Sequence, residues 1–256
     1  MLLSLVMSPG LDDQLIDPPP PLPIPERVMA IGAHPDDVEF GAGATIFNWT
    51  SRGAEAAVVV LTDGSKGSWD AEVDRSALIE QRKREQQRAA EILGATSIEW
   101  LDQTDGELQH TPGLRREIAR QIRIHRPDVV LTHDPWQRYQ LHPDHRTTGL
   151  LTVDAVVAAR EPLFYPDQGL EPHRPSVILL WSADEPDHAE PVSAGAFDAK
   201  VEALLCHASQ SQTTMGDAAL SDEARDRFVE RVEDWLRSSA SRFGTDRAEI
   251  FKRIVP

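Results

Sequence analysis

Short apolar runs recur along the chain, separated by longer polar stretches in which apolar residues return at helical spacing. Val28 to Ala33 is apolar at nearly every position, as is Ala56 to Thr62, with Val58-Val59-Val60-Leu61 at its centre. Such runs, without alternation, are the mark of strands buried on both faces in a parallel sheet. Ser97 to Leu101, Asp128 to Thr132 and Ser176 to Trp181 complete the predicted strands. Between them the pattern predicts helices. Glu39 to Arg52 is closed by Gly53, and a long polar helix from Asp74 or Ser76 to Leu93 is closed by Gly94. Pro112 to His125 is a third, and His142 to Arg160 a fourth, with Leu150, Leu151, Val153, Val156 and Val157 as its apolar residues. Two more helices, about Phe197 to Ser209 and Ser221 to Ser239, are predicted in the tail.

Strands alternating with helices predict an α/β fold, Rossmann-like, with a mostly parallel sheet and helices on both faces. At 256 residues the chain fits one such domain, assigned here to residues 26–256. Residues 1–25 contain Pro18 to Pro21, Pro23 and Pro25, and consecutive prolines exclude a helix or an inner strand. That stretch is read as an extended arm, a tethered leader rather than a polyproline ligand.

Charge and cysteine narrow the function classes. A formal charge of −16 argues against a nucleic-acid surface, which relies on Lys and Arg. No apolar run approaches a membrane span. The apolar start, Met1 to Met7, lacks a basic flank and runs into acidic residues and prolines, against a secretory signal. The single cysteine, Cys206, excludes an internal disulfide and reads as a small buried hydrophobe. A cytoplasmic setting is expected.

Ligands of α/β folds bind beyond the carboxyl ends of the strands. There the sequence concentrates its chemistry. Ala33-His34-Pro35-Asp36-Asp37 follows the first strand, and His142-Pro143-Asp144-His145 opens the helix after the fourth. His34 and Asp37 are three apart, as are His142 and His145, so each pair can point to one side of a helical turn. Together they read as halves of one metal site. Nitrogen and oxygen donors without a cysteine cluster suit zinc, and also iron, cobalt or nickel. Three protein ligands with an open fourth position is the catalytic pattern.

These two motifs resemble the PIG-L family of metal-dependent de-N-acetylases. Further matching pieces are Thr62-Asp63-Gly64 with Gly67, Arg82 with Glu85 ahead of Leu93-Gly94, Asp105-Gly106, Pro127-Asp128-Val129-Val130, and His207-Ala208-Ser209-Gln210. The resemblance spans about residues 27–212. It implies that His34, Asp37 and His145 hold one Zn2+ per chain, with Fe2+ as the other candidate. It implies Asp36 as general base, and His142 opposite it as a cation that stabilises the oxyanion or protonates the leaving amine. Asp144 would orient or charge that imidazole. In members of the thiol pathway a tyrosine lies two residues before the first histidine of the second motif. Here Gln140 takes that place and Tyr139 is one step earlier.

Other residues are weighed individually. His133 and Asp134 follow a strand and are candidates for the pocket. Asp63 reads as a loop brace. Arg82 is assigned to substrate hydroxyls or to bracing the metal loop, and Trp136 and Tyr139 to the substrate wall, with Trp69 and Trp136 able to stack on a sugar. His188 is either a pocket cover or exposed. His110, His125 and His173 read as surface residues. Gly41-Ala42-Gly43 lacks the third glycine of a dinucleotide fingerprint and reads as a close helix–sheet contact. The expected function is a zinc-dependent hydrolase that removes an N-acetyl or other N-acyl group from a small amino sugar or glycoside. An amidase of a cysteinyl thiol conjugate and a non-catalytic sugar-binding module are the alternatives. Self-association is left open; nucleic acid and membrane are not expected partners.

Overall fold

The computed structural model describes residues 20–217 and 221–256. The proline-rich arm therefore lies largely outside the described residues. Its last part, 20–25, has no regular secondary structure, and the Leu22 N–H donates to Glu190 Oε1 at 2.8 Å.

Seven strands form the sheet: β1 (Arg27–Gly32), β2 (Glu55–Thr62), β3 (Ser97–Gln103), β4 (Val129–His133), β5 (Val177–Trp181), β6 (His188–Pro191) and β7 (Ala248–Ile254). Their order is β3-β2-β1-β4-β5-β7-β6. The first five are parallel, while β7 runs antiparallel to both β5 and β6. The helices are α1 (Asp37–Thr50), α2 (Arg75–Ile92), α3 (Pro112–His125), α4 (Pro143–Arg160), α5 (Ala194–Leu205) and α6 (Asp222–Ser241).

Successive residues of a strand face opposite sides of the sheet, and β1 divides accordingly. Val28 and Ala30 pack with Val38, Ala42, Ile46 and Trp49 of α1 and with Ala89 of α2. Met29 and Ile31 pack with Ile118 and Ile122 of α3 and Leu151 and Ala155 of α4. Burial on both faces is what the unbroken apolar runs required. A third cluster joins Phe197, Val201 and Leu204 of α5 to Phe228, Val232 and Leu236 of α6.

The predicted parallel core and its helices are present. The tail differs. β6 and β7 escape the apolar pattern because β6 is four residues long and β7 carries Glu249, Lys252 and Arg253. The expected helix to Ser209 ends at Leu205, and a short 3₁₀ turn, Ala208–Gln210, follows. Among the described residues no helix is long and apolar enough to cross a membrane.

From β1 the chain builds outward to β3, then returns to the other side of β1 as β4. The crevice beyond β1 and β4 is thus the switch point where such sheets bind ligands.

Candidate metal centre and catalytic cleft

Both histidine motifs open into that crevice. After β1, Thr62 holds the Ala33 carbonyl through its backbone N–H at 2.9 Å and its hydroxyl at 2.8 Å. The chain then turns sharply, with Asp36 at φ 105° before α1 begins. That left-handed conformation is uncommon for a residue with a side chain, though Asp and Asn tolerate it best. α2 holds the turn in place. The Asp36 N–H donates to Gln86 Oε1 at 3.0 Å, and Arg82 donates to the Pro35 carbonyl at 2.6 Å and the Gly64 carbonyl at 2.9 Å. A side chain at Gly67 would lie 2.1 Å from Arg82 Nη1, so the loop after β2 closes over the guanidinium only because residue 67 is glycine. The Gln86 amide is itself oriented, donating to Glu39 Oε1 at 2.6 Å, and Glu39 Oε2 lies 3.5 Å from His207 Nε2.

Three imidazoles gather round Asp37, and a fourth, His142, packs against two of them. Its Oδ2 accepts the His34 N–H at 2.8 Å and faces His133 Nε2 at 3.1 Å and His34 Nδ1 at 3.3 Å. Its Oδ1 faces His145 Nε2 at 3.2 Å. Ring centroids are 5.3 Å apart for His34 and His145 and 4.5 Å for His34 and His142. Donor atoms of His34, His142 and His145 lie within 4.8 Å of one another, as do those of Asp37, His133 and His145.

The far side of His34 argues for a cation. Its Nε2 lies 3.1 Å from Asp144 Oδ2 and 3.3 Å from Asp105 Oδ1. Both carboxylates are fixed by backbone donors: Gly106 and Leu108 to Asp144, Lys66 to Asp105. The neutral ring therefore carries its proton on Nε2, and the Nδ1 lone pair faces the negatively charged Asp37 carboxylate. That arrangement calls for positive charge between them. A carboxylate on the outer nitrogen is also the usual support of a metal-binding histidine. The residues fit a metal ion of the N/O-binding kind.

The electrostatics agree. Burial opposes charge on His34, yet Asp105, Asp144 and Asp37 together raise its pKa well above the usual value. Burial also works against ionised Asp37, but His145 and His133 hold it well below the normal carboxylate range. Asp105 is lowered to about 2 against its own burial, chiefly by His34. Asp36 behaves differently: burial pushes it up to about 6, against the pull of Arg82 at 3.7 Å. His142 is lowered, by burial first and then by His34 and His145.

Comparison with known proteins decides the family. The GlcNAc-PI de-N-acetylase (PIG-L) family profile matches residues 29–156. The chain belongs to the PIG-L family. It is 39% identical over 188 residues to the diacetylchitobiose deacetylase of Thermococcus kodakarensis, covering 72% of this chain and 70% of that protein. It is 31% identical over 218 residues to a probable N-acetyl-alpha-D-glucosaminyl L-malate deacetylase 2 of Bacillus anthracis, covering 82% of this chain and 91% of that one. The N,N'-diacetylchitobiose deacetylase structure from Pyrococcus horikoshii, solved with an inhibitor, superposes with a TM-score of 0.80 at 28% identity, over 90% of this chain and 84% of that one. The α/β architecture is thus that of the PIG-L deacetylases.

Within that family frame, His34, Asp37 and His145 come together, with Asp36 and His142 beside them. Two expectations need correction. Asp144 does not face His142: its carboxylate is on His34, and only its backbone N–H reaches His142 Nδ1, at 3.3 Å. Arg82 is 3% exposed with its donors on backbone carbonyls, so it braces the turn rather than meeting a sugar. Glu85, one turn along the same helix, accepts from the Ser209 N–H and hydroxyl.

The expected wall residues are exposed: Trp136 at 59% and Tyr139 at 84%, the latter at φ 62°. Asp63 braces its loop, accepting from Ser65 and Asp105 N–H. His188 is neither cover nor surface; it is buried on the edge strand β6 against Glu190, at 2.6 Å. Sequence reading missed Gln86 and Trp181. Gln86 is one helical turn beyond Arg82, and Trp181 ends β5 beside His133, so position alone could have flagged both.

Proposed function

We propose that this protein is a metal-dependent hydrolase that removes the N-acetyl group from an amino sugar or glycoside. The observation that carries this reading is Asp36. It is a buried carboxylate with a pKa raised to about 6, beside the imidazole–carboxylate cluster but outside the contacts of Asp37. A purely binding site has no use for such a group. A base poised near neutrality does.

His34, Asp37 and His145 would hold the cation, with Zn2+ favoured by the donor set and Fe2+ the other candidate. When bound, it supplies the Lewis acidity that polarises an amide carbonyl and brings the pKa of a water towards about 7. Asp36 accepts the proton of the attacking water and can return it to the departing amine. The N–H of Gln86-anchored Asp36 keeps the carboxylate aimed, and Arg82 keeps it from rising further in pKa. His142 Nδ1 accepts the Asp144 N–H, so its neutral ring carries the proton on Nε2. That N–H supports a role as oxyanion donor, in place of the cation inferred from sequence. Asp144 and Asp105 orient His34. The single cysteine is compatible with a cytoplasmic setting.

The test is a screen of metal-loaded protein against N-acetylglucosamine, N,N'-diacetylchitobiose, an N-acetylglucosaminyl glycoside and a cysteinyl thiol conjugate, detecting freed amine. Release of acetate from an amino sugar, abolished by a chelator and restored by zinc or iron, is expected. Cleavage of the thiol conjugate alone would transfer the assignment to the amidase. Metal binding without any hydrolysis would leave a sugar-binding module.

A further inference from the structure

His133 shares its position in the cleft with the ligand cluster, and a group of Asp37, His133 and His145 could itself hold a metal. Its surroundings assign it another task. His133 and Trp181 are register partners at the ends of β4 and β5. The Trp181 indole N–H points at His133 Nδ1, at 3.0 Å. An indole nitrogen only donates, so Nδ1 must accept. A neutral imidazole then carries its proton on Nε2, the atom 3.1 Å from Asp37 Oδ2. A protonated Nε2 cannot ligate a metal. It donates.

The consequence falls on Asp37. Its Oδ2 receives two N–H groups, from the His34 backbone and from His133. Two donors fill the lone pairs of that oxygen, so a cation seated between Asp37 and His145 would meet Oδ1, which faces His145 Nε2 at 3.2 Å. His133 also stacks on His145, with centroids 4.3 Å apart and an 18° interplanar angle, which fixes that ring too.

The indole lies against α1. A side chain at Gly41 would come within 2.4 Å of Trp181 Cδ2, so α1 at Gly41 forms the wall against which the indole rests.

We propose that Trp181 and His133 form a positioning relay that presents Oδ1 of Asp37 and the ring of His145 to the metal, with His133 outside the ligand set. This deepens the proposed function and rests on Asp37 and His145 as ligands.

The test measures metal affinity by competition with a chromophoric chelator, for zinc, alongside hydrolysis. Trp181→Phe removes the donor and keeps a ring. It should weaken zinc binding about 10- to 100-fold, the usual effect of removing a group that supports a ligand. If His133 were a ligand through Nε2, its Nδ1 would need the proton, and Trp181→Phe would relieve a donor–donor clash and tighten binding. That sign would overturn the relay. Gly41→Ala, whose methyl would press on the indole while leaving the Trp181 N–H and His133 chemically intact, should weaken binding in the same direction, and unchanged affinity would count against the indole's placement.

His133→Gln keeps a side-chain N–H donor and should retain more affinity than His133→Phe; equal losses would argue against donation. In protein labelled with 15N-histidine, His133 should carry its proton on Nε2 both without metal and with cadmium. Coupling to 113Cd should appear at His34 and His145; coupling at His133 would overturn the proposal. The metal-free spectrum is independent of turnover. A correct tautomer in a protein that binds no metal would therefore retire the hydrolase reading, while a wrong tautomer in an active enzyme would retire only the relay.

Discussion

Asp36 is where fold and chemistry conflict most sharply. It combines a left-handed backbone, burial and a carboxylate pushed up to about 6 from 3.8. In the metal-free protein its raised pKa makes a sign-definite prediction. A group raised on folding favours the fold below its unfolded pKa, and that contribution is lost as pH rises through about 6. Ionised Asp36 thus opposes folding above that pH, by up to about 3 kcal/mol. Asp36→Asn keeps the left-handed turn and removes the charge. It should raise the melting temperature of the metal-free protein at pH 7.5, with a margin that narrows towards pH 5. The same variant should lose about 10²- to 10⁴-fold in kcat while binding zinc as the parent does. Full activity would reject the base assignment. His34 shows the complementary case, a residue whose candidacy as a ligand came from the motif but whose carboxylate partners did not. Asp105 reaches it from the loop after β3 and Asp144 from the first turn of α4, the latter 110 residues away, and local spacing carries no trace of that pairing.

At the scale of elements, α2 does more for the site than its polar composition suggests. Arg82 and Gln86 lie one turn apart on one face, and both hold the turn between β1 and α1. Gln86 has a second duty, donating to buried Glu39. Gln86→Leu should therefore cost about 1–3 kcal/mol in thermal or denaturant unfolding, since it strands a buried acceptor and the Asp36 N–H. It should also lower kcat more than it alters zinc affinity, because it loosens the carboxylate and leaves the ligands alone. A fall in zinc affinity with kcat unchanged would contradict that division. The helix itself was plain from its cap: Asp74 accepts the N–H groups of Ser76 and Ala77, and Gly94 at φ 72° follows its end. Which of its faces was buried was not plain, because Arg82, Glu85 and Gln86 interrupt the buried side between Leu78 and Ala89.

Across the whole molecule, one ion pair ties three elements behind the cleft. Lys200 on α5 donates to Glu249 on β7 at 2.6 Å and to the Glu39 and Phe40 carbonyls of α1 at 2.8 and 2.6 Å. Glu249 in turn accepts the N–H groups of Ala44 and Thr45 in α1, at 3.1 and 2.8 Å. Both side chains are buried. Lys200→Met should destabilise by about 3–5 kcal/mol, read as a lower melting temperature, because it leaves Glu249 charged and unpaired. Adding Glu249→Gln should recover part of that loss, and a double variant worse than the single would contradict the pairing.

This pair also explains why β7 escaped recognition. Apolar runs report only contacts with water excluded by carbon, so they marked β1, β2, β4 and β5, the helices that cover them, and the crevice at their carboxyl ends. The two histidine motifs, lying at that edge, were enough for the family and for a cluster that could hold a metal. Charged residues buried by distant partners leave no such pattern. Glu249 and Lys252 disguised a strand, Arg82 was left between a substrate role and a bracing one, and Asp144 was matched to its neighbour His142 when its partner is His34. Long-range pairing of polar groups is decided only when the chain closes on itself, since each partner is neutralised by a residue that local sequence cannot name.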